Sequence, residues 1–103
     1  MEKKNSKREK WINPDTDALW EAVLQLRNVG EARRFFRDLL TEQEILEFAN
    51  RWKVARMLAR KVPYLEIGRR TWMSSATIAR IQRWLKKGTG GYRLMLERTT
   101  KKN

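Results

Sequence analysis

Two short helical patterns lie close together between Tyr64 and Gly88. The first, YLEIGRRT, ends at about Thr71, and the second, SATIARIQRWLKK, starts near Ser74 or Ser75. Three or four residues join them, which is the spacing of a helix-turn-helix. Ile67 and Ile78 are placed so that each helix sends one apolar side chain into the corner between the two. Gly68, beside Ile67, is expected to let the helices cross closely. On the second helix, Ile78, Ile81, Trp84 and Leu85 recur at one helical spacing and Arg80, Arg83 and Lys87 at another, with Ser75, Ala76 and Ala79 as a small face. The first stripe suits a protein core and the second suits a polyanion. Ser74 and Thr77 put hydroxyls near the second helix's N-terminus, where backbone N–H groups favour phosphate. Arg69 and Arg70 end the first helix, on the side of the duplex backbone in such a motif.

The charge distribution agrees. Residues 1–50 carry 9 Lys and Arg against 10 Asp and Glu, whereas residues 51–103 carry 15 against 2. The whole excess of +12 therefore sits in the half that holds the two-helix motif. One-sided charge repels itself, and a polyanionic partner offsets that: nucleic acid first, an acidic membrane surface second. Cys and His are both absent, which removes disulfides, thiol chemistry, the usual zinc sites and His-based acid–base catalysis. The densest carboxylates, Asp38, Glu42, Glu44 and Glu47, read as helix-cap and solvated positions. No nucleophile–base pair is visible, so the chain is not read as an enzyme, and no metal or cofactor is expected.

The remaining segments also read as helices, and no segment alternates like a strand. Residues 1–10 are polar, with five Lys and Arg, and read as a disordered basic arm. Asn13-Pro14 opens a first helix, with Asp15 and Asp17 in its first turn, and Gly30 ends it or begins the next turn. EARRFFRDLL puts Ala32, Phe35, Phe36, Leu39 and Leu40 on one face of a second helix. TEQE matches a capping box, with Thr41 as N-cap and Glu44 reaching back. The third helix should run from about Glu42 to Arg60, on a stripe of Ile45, Phe48, Ala49, Trp52, Ala55 and Ala59, and break at Val62-Pro63. Gly88 follows the fifth helix as a C′ residue. YRLMLER is a short last helix, and 99–103 a frayed tail. The reading is an all-α chain of about six helices, with one DNA-binding domain over 11–98. No apolar run approaches a membrane span and no signal peptide is visible, so a cytoplasmic, nucleoid-associated protein is expected.

Several stretches together resemble one family. LLTEQEILEFANRW (39–52) followed by SSATIAR (74–80) is similar to the Trp repressor superfamily. WINPDTDAL (11–19), FFRDLLT (35–41) and GTGGY (88–92) resemble its YerC/YecD-type TrpR-related branch. The resemblance covers about residues 11–95. It implies two chains intertwined through their N-terminal helices, with helix-turn-helix heads about a two-fold axis. It places Ser75, Ala76, Thr77 and Ala79 at the groove, followed by Arg80 and Arg83. It also matches Arg51 and Arg80 to the arginines that hold tryptophan in Trp repressors, and Thr41 and Thr77 to nearby pocket residues.

The chain also departs from that pattern. Trp72 stands in the turn where Gly is usual, and a bulky residue there is costly if the turn needs φ > 0. Pro63 stands where a capping Ser is common. Ile81 and Trp84 replace Gly and Ser, and large apolar groups there would fill the space of an indole, so L-tryptophan is not expected as a corepressor. The resulting expectation is a homodimeric, sequence-specific regulator, read as a repressor, that binds double-stranded DNA at a palindromic operator. The competing reading is a small architectural or RNA-binding basic protein that does not read bases.

Overall fold

The computed structural model describes residues 9–100, which form two compact units, residues up to 41 and residues from 42. The N-terminal unit holds α1 (Pro14–Val23) and α2 (Val29–Leu39). Asn13 caps α1: its side chain accepts from the Thr16 N–H, while the Thr16 hydroxyl accepts from the Asn13 N–H. Pro14, with no N–H to satisfy, opens the helix. α1 stops at Val23, well short of Gly30, and Gly30 instead lies in the first turn of α2 behind the N-cap Asn28. Neither helix contains a buried residue. Phe35 and Phe36 meet edge to face, with ring centroids 5.5 Å apart, and are only half-buried.

The second unit holds α3 (Glu42–Ala59), α4 (Tyr64–Thr71), α5 (Ser75–Lys87) and α6 (Gly91–Thr100). Its core consists of Val54, Ala55, Met57 and Leu58 of α3, Ile67 of α4, and Ile78 and Ile81 of α5. Trp52, Val62, Met73, Leu85 and Tyr92 pack around it. A side chain of this kind contributes roughly 1.5–3 kcal/mol when fully buried, so the seven core residues hold the three helices as one head. The C-terminal half of α3 carries this burial. Of the expected stripe, Ala55 is fully buried and Trp52 packs against the core, while Phe48, Ala49 and Ala59 are exposed, as is Leu46 beside them.

α3 ends before Pro63 for a local reason. Lys61 adopts the left-handed conformation (φ 65°), and Lys61 N–H and Val62 N–H donate to the carbonyls of Leu58 and Met57. This is a Schellman closure, with Pro63 following it. α4 starts at Pro63, which supplies no side-chain cap. Past its other end, α6 continues to Thr100, two residues beyond the expected domain limit at 98. The expected N-terminal arm over 1–10 lies outside the described residues except for Glu9 and Lys10, and 101–103 lie outside them too.

Candidate nucleic-acid interface

Ile67 and Ile78 are both fully buried at the corner between α4 and α5. The turn between them is held from three sides. The Thr71 hydroxyl donates to the Ile67 carbonyl at 2.7 Å, Asn50 Nδ2 of α3 donates to the Thr71 carbonyl at 3.2 Å, and Trp72 N–H donates to the Gly68 carbonyl at 2.8 Å. Trp72 itself is left-handed, with φ 63° and ψ 15°, so the turn has the usual geometry and a bulky residue in it. Gly68 lies at the crossing with room for a small side chain. A Cβ there would sit 3.6 Å from the Met73 carbonyl oxygen, an ordinary contact, so the crossing does not require glycine.

α5 starts at Ser75. Ser74 is the N-cap, its Oγ accepting from Thr77 N–H at 3.1 Å and donating to Thr77 Oγ1 at 3.0 Å. One side of the helix buries Ile78 and Ile81, with Leu85 partly covered. Ala76, Arg80, Arg83 and Lys87 follow one another at i, i+4, i+7 and i+11, and all four are exposed. Ser74 and Ser75 are exposed at the N-terminal end, while Thr77 and Ala79 are half-buried beside the stripe. At the other end, Arg93 of α6 donates to the carbonyls of Lys86 (2.7 Å) and Leu85 (3.2 Å), a cation placed where the helix dipole is negative. Gly88 closes α5 at φ −82°, not left-handed as a C′ glycine would be. It is needed for another reason: a Cβ there would lie 2.5 Å from the Trp84 carbonyl oxygen.

Arg69 and Arg70 are exposed, but both guanidinium groups hydrogen-bond the carboxylate of Glu66 one turn earlier. The hydrogen bonds from Arg70 and Arg69 hold the Glu66 carboxyl below its ordinary pKa. The spacing of Glu66 three and four residues before the arginines was the available signal for this pairing.

Of the residues matched to an effector pocket, three lie in the head. Thr41 ends the N-terminal unit. In the head, Arg51 is exposed with its guanidinium 5.7 Å from the Phe48 ring centroid, Thr77 is engaged with Ser74, and Arg80 lies on the exposed stripe. Ile81 is only 1% exposed within the core. Trp84 is not packed into that core. It is 45% exposed and borders an open groove of about 970 Å³ with Trp52, Tyr92 and Met95. Tyr92 stacks on Trp52 at 6.3 Å, and burial pushes its hydroxyl above the ordinary tyrosine pKa.

The family model described as "Trp repressor protein" matches this chain over residues 14–100. The chain belongs to the Trp repressor family. It is 40% identical over 84 residues to the Bacillus subtilis (strain 168) protein YerC, covering 82% of this chain and 81% of that one. The crystal structure of a TrpR-like protein from Eubacterium eligens superposes with a TM-score of 0.85 at 38% identity, over 89% of this chain and 95% of that one. A Staphylococcus aureus structure gives 0.83 at 36%, over 89% and 92%. The family assignment makes the chain a TrpR-like transcription regulator and confirms the all-α class. Among the described residues no helix is long and apolar enough to cross a membrane.

Proposed function

We propose that this Trp repressor family member regulates transcription as a homodimer that reads double-stranded DNA with α5, through a single domain spanning residues 11–98. The observation that carries the reading is the α5 stripe. Arg80, Arg83 and Lys87 are exposed on the side of the helix away from the buried Ile78 and Ile81. Such a helix can lie in a major groove, N-terminus first, with arginines at the base edges. Ser74, Ser75, Ala76, Thr77 and Ala79 then supply the close-approach surface, and Arg69 and Arg70 exchange Glu66 for backbone phosphate.

Dimerisation is supported by apolar surface that one chain leaves uncovered. Trp20, Leu24 and Leu39 of the N-terminal unit are exposed, as are Leu46 and Phe48 of α3. A two-fold axis requires two half-sites about one helical turn apart, hence a palindromic operator. L-tryptophan is not the corepressor in this reading, because Ile81 fills its position in a close-packed core. Selection of bound sequences from a random duplex pool tests the proposal. A palindromic consensus supports it. Retention of all duplexes alike, with binding that falls steeply with salt, points instead to an architectural protein or an RNA binder.

A further inference from the structure

We propose that Leu65 and Trp72 form an apolar rail that seats one DNA strand beside the reading helix, packing against deoxyribose faces and thymine methyl groups. This rests on the DNA-binding reading above and names a contact that the basic residues do not supply.

Leu65 and Arg69 share one outward face of α4 at i and i+4, and Trp72, at the left-handed end of the helix, borders the same concavity, so the three form one line along its edge. Leu65 is 80% exposed and Trp72 is 91% exposed. A concavity of about 790 Å³ runs from this line to the start of α5, bordered by Gly68, Arg69, Ser74 and Ser75 with Ile78 beneath. Whatever fills it touches the rail and the N-terminal turn of α5 together. Trp72 gains no cover inside the chain for adopting a left-handed backbone that glycine would adopt freely.

Charge selects the occupant. No acidic residue borders the concavity. The one nearby carboxylate on α4, Glu66, is held by Arg69 and Arg70. Residues 51–103 carry 15 Lys and Arg against 2 acids. An apolar peptide would have to approach through that positive field without a countercharge. A DNA strand carries phosphates for the arginines and, between them, apolar sugar faces and thymine methyls for Leu65 and Trp72.

The test compares the parent with Trp72→Gly, Leu65→Ala and the double variant Arg80→Ala, Arg83→Ala. The probes are a duplex recovered by selection and the same duplex with uracil in place of thymine. Trp72→Gly relieves the turn, so its thermal midpoint should equal or exceed that of the parent, while its affinity for the thymine duplex falls about tenfold, on the scale of one lost apolar contact. Leu65→Ala should weaken binding in the same direction. If the contact is to thymine methyls, uracil weakens the parent and leaves Trp72→Gly nearly unchanged. If it is to sugar faces, uracil affects both alike and Trp72→Gly remains the weaker binder. The inference is overturned if Trp72→Gly and Leu65→Ala bind as tightly as the parent while the double arginine variant does not, and the rail then belongs to a protein partner. If the parent binds no duplex at all, the DNA-binding reading itself fails.

Discussion

Gly68 and Gly88 lie in the same head and respond oppositely to an added methyl group. At Gly88 the Cβ would meet backbone, the Trp84 carbonyl oxygen at 2.5 Å, which cannot swing aside as a side-chain tip can. Gly88→Ala should therefore cost about 1–3 kcal/mol through overpacking at the end of α5. Gly68 lies inside α4 with room for a Cβ, so Gly68→Ala should stabilise by about 0.5–1 kcal/mol through lower unfolded-chain entropy. Urea midpoints with unchanged slopes check both. Glu66 supplies a pH-dependent contribution of definite sign. Hydrogen bonds from Arg70 and Arg69 hold its carboxyl below the ordinary glutamate value. The stability it adds is therefore present above that value and lost as pH falls through the lowered one. Glu66→Gln should narrow the difference in urea midpoint between about pH 6 and pH 2 relative to the parent, and an unchanged difference would show that the two arginines contribute nothing.

At the scale of elements, α4 and α5 were legible because their signals are local. Two apolar isoleucines and the short turn between them define the pair within 25 residues, and α4 spans Tyr64–Thr71 as the pattern indicates. The exposed arginines of α5 were legible from the same spacing. What was not legible depends on contacts distant in sequence. The stripe from Ile45 to Ala59 has a sound helical period, yet in one chain only part of it is covered: Ala55 enters the core with Val54, Met57 and Leu58, while Phe48 and Ala49 stay exposed. Period shows which residues share a face, not what covers that face. Arg93 is a second case, because nothing in GGYRLM shows that its guanidinium reaches the last carbonyls of α5. The start of α5 offers a direct check on the local argument. Ser74→Ala removes the acceptor for Thr77 N–H and should destabilise the head by about 0.5–2 kcal/mol. Ile78→Ala, at a fully buried position shared by α4 and α5, should cost about 2–5 kcal/mol by leaving a cavity. Thermal or urea unfolding of both variants checks the ranking, and a Ser74→Ala loss as large as that of Ile78→Ala would mean that the cap and not the core holds the helix.

The whole molecule combines a basic head with a near-neutral N-terminal unit that buries no residue of its own helices. That unit's apolar faces need a cover, and the proposed homodimer would supply one from a second copy. Sedimentation at micromolar concentration should therefore give about twice the 12.4 kDa chain mass, and the unfolding midpoint should rise with protein concentration. A monomer whose midpoint is independent of concentration contradicts the dimer. Calorimetric titration with L-tryptophan should show no saturable binding that strengthens the interaction with DNA. A tenfold gain, about 1.4 kcal/mol of coupling, would mean that Ile81 leaves the indole space open. The most direct measurement is the affinity of the parent and of Arg80→Ala, Arg83→Ala for one selected duplex at matched salt, with circular dichroism confirming that both are folded. Each arginine that reads a base edge is worth about 1–3 kcal/mol, so the variant should lose at least tenfold in affinity and most of its preference for the selected sequence. Equal affinity and equal preference in a folded variant would show that α5 is not the element that reads DNA.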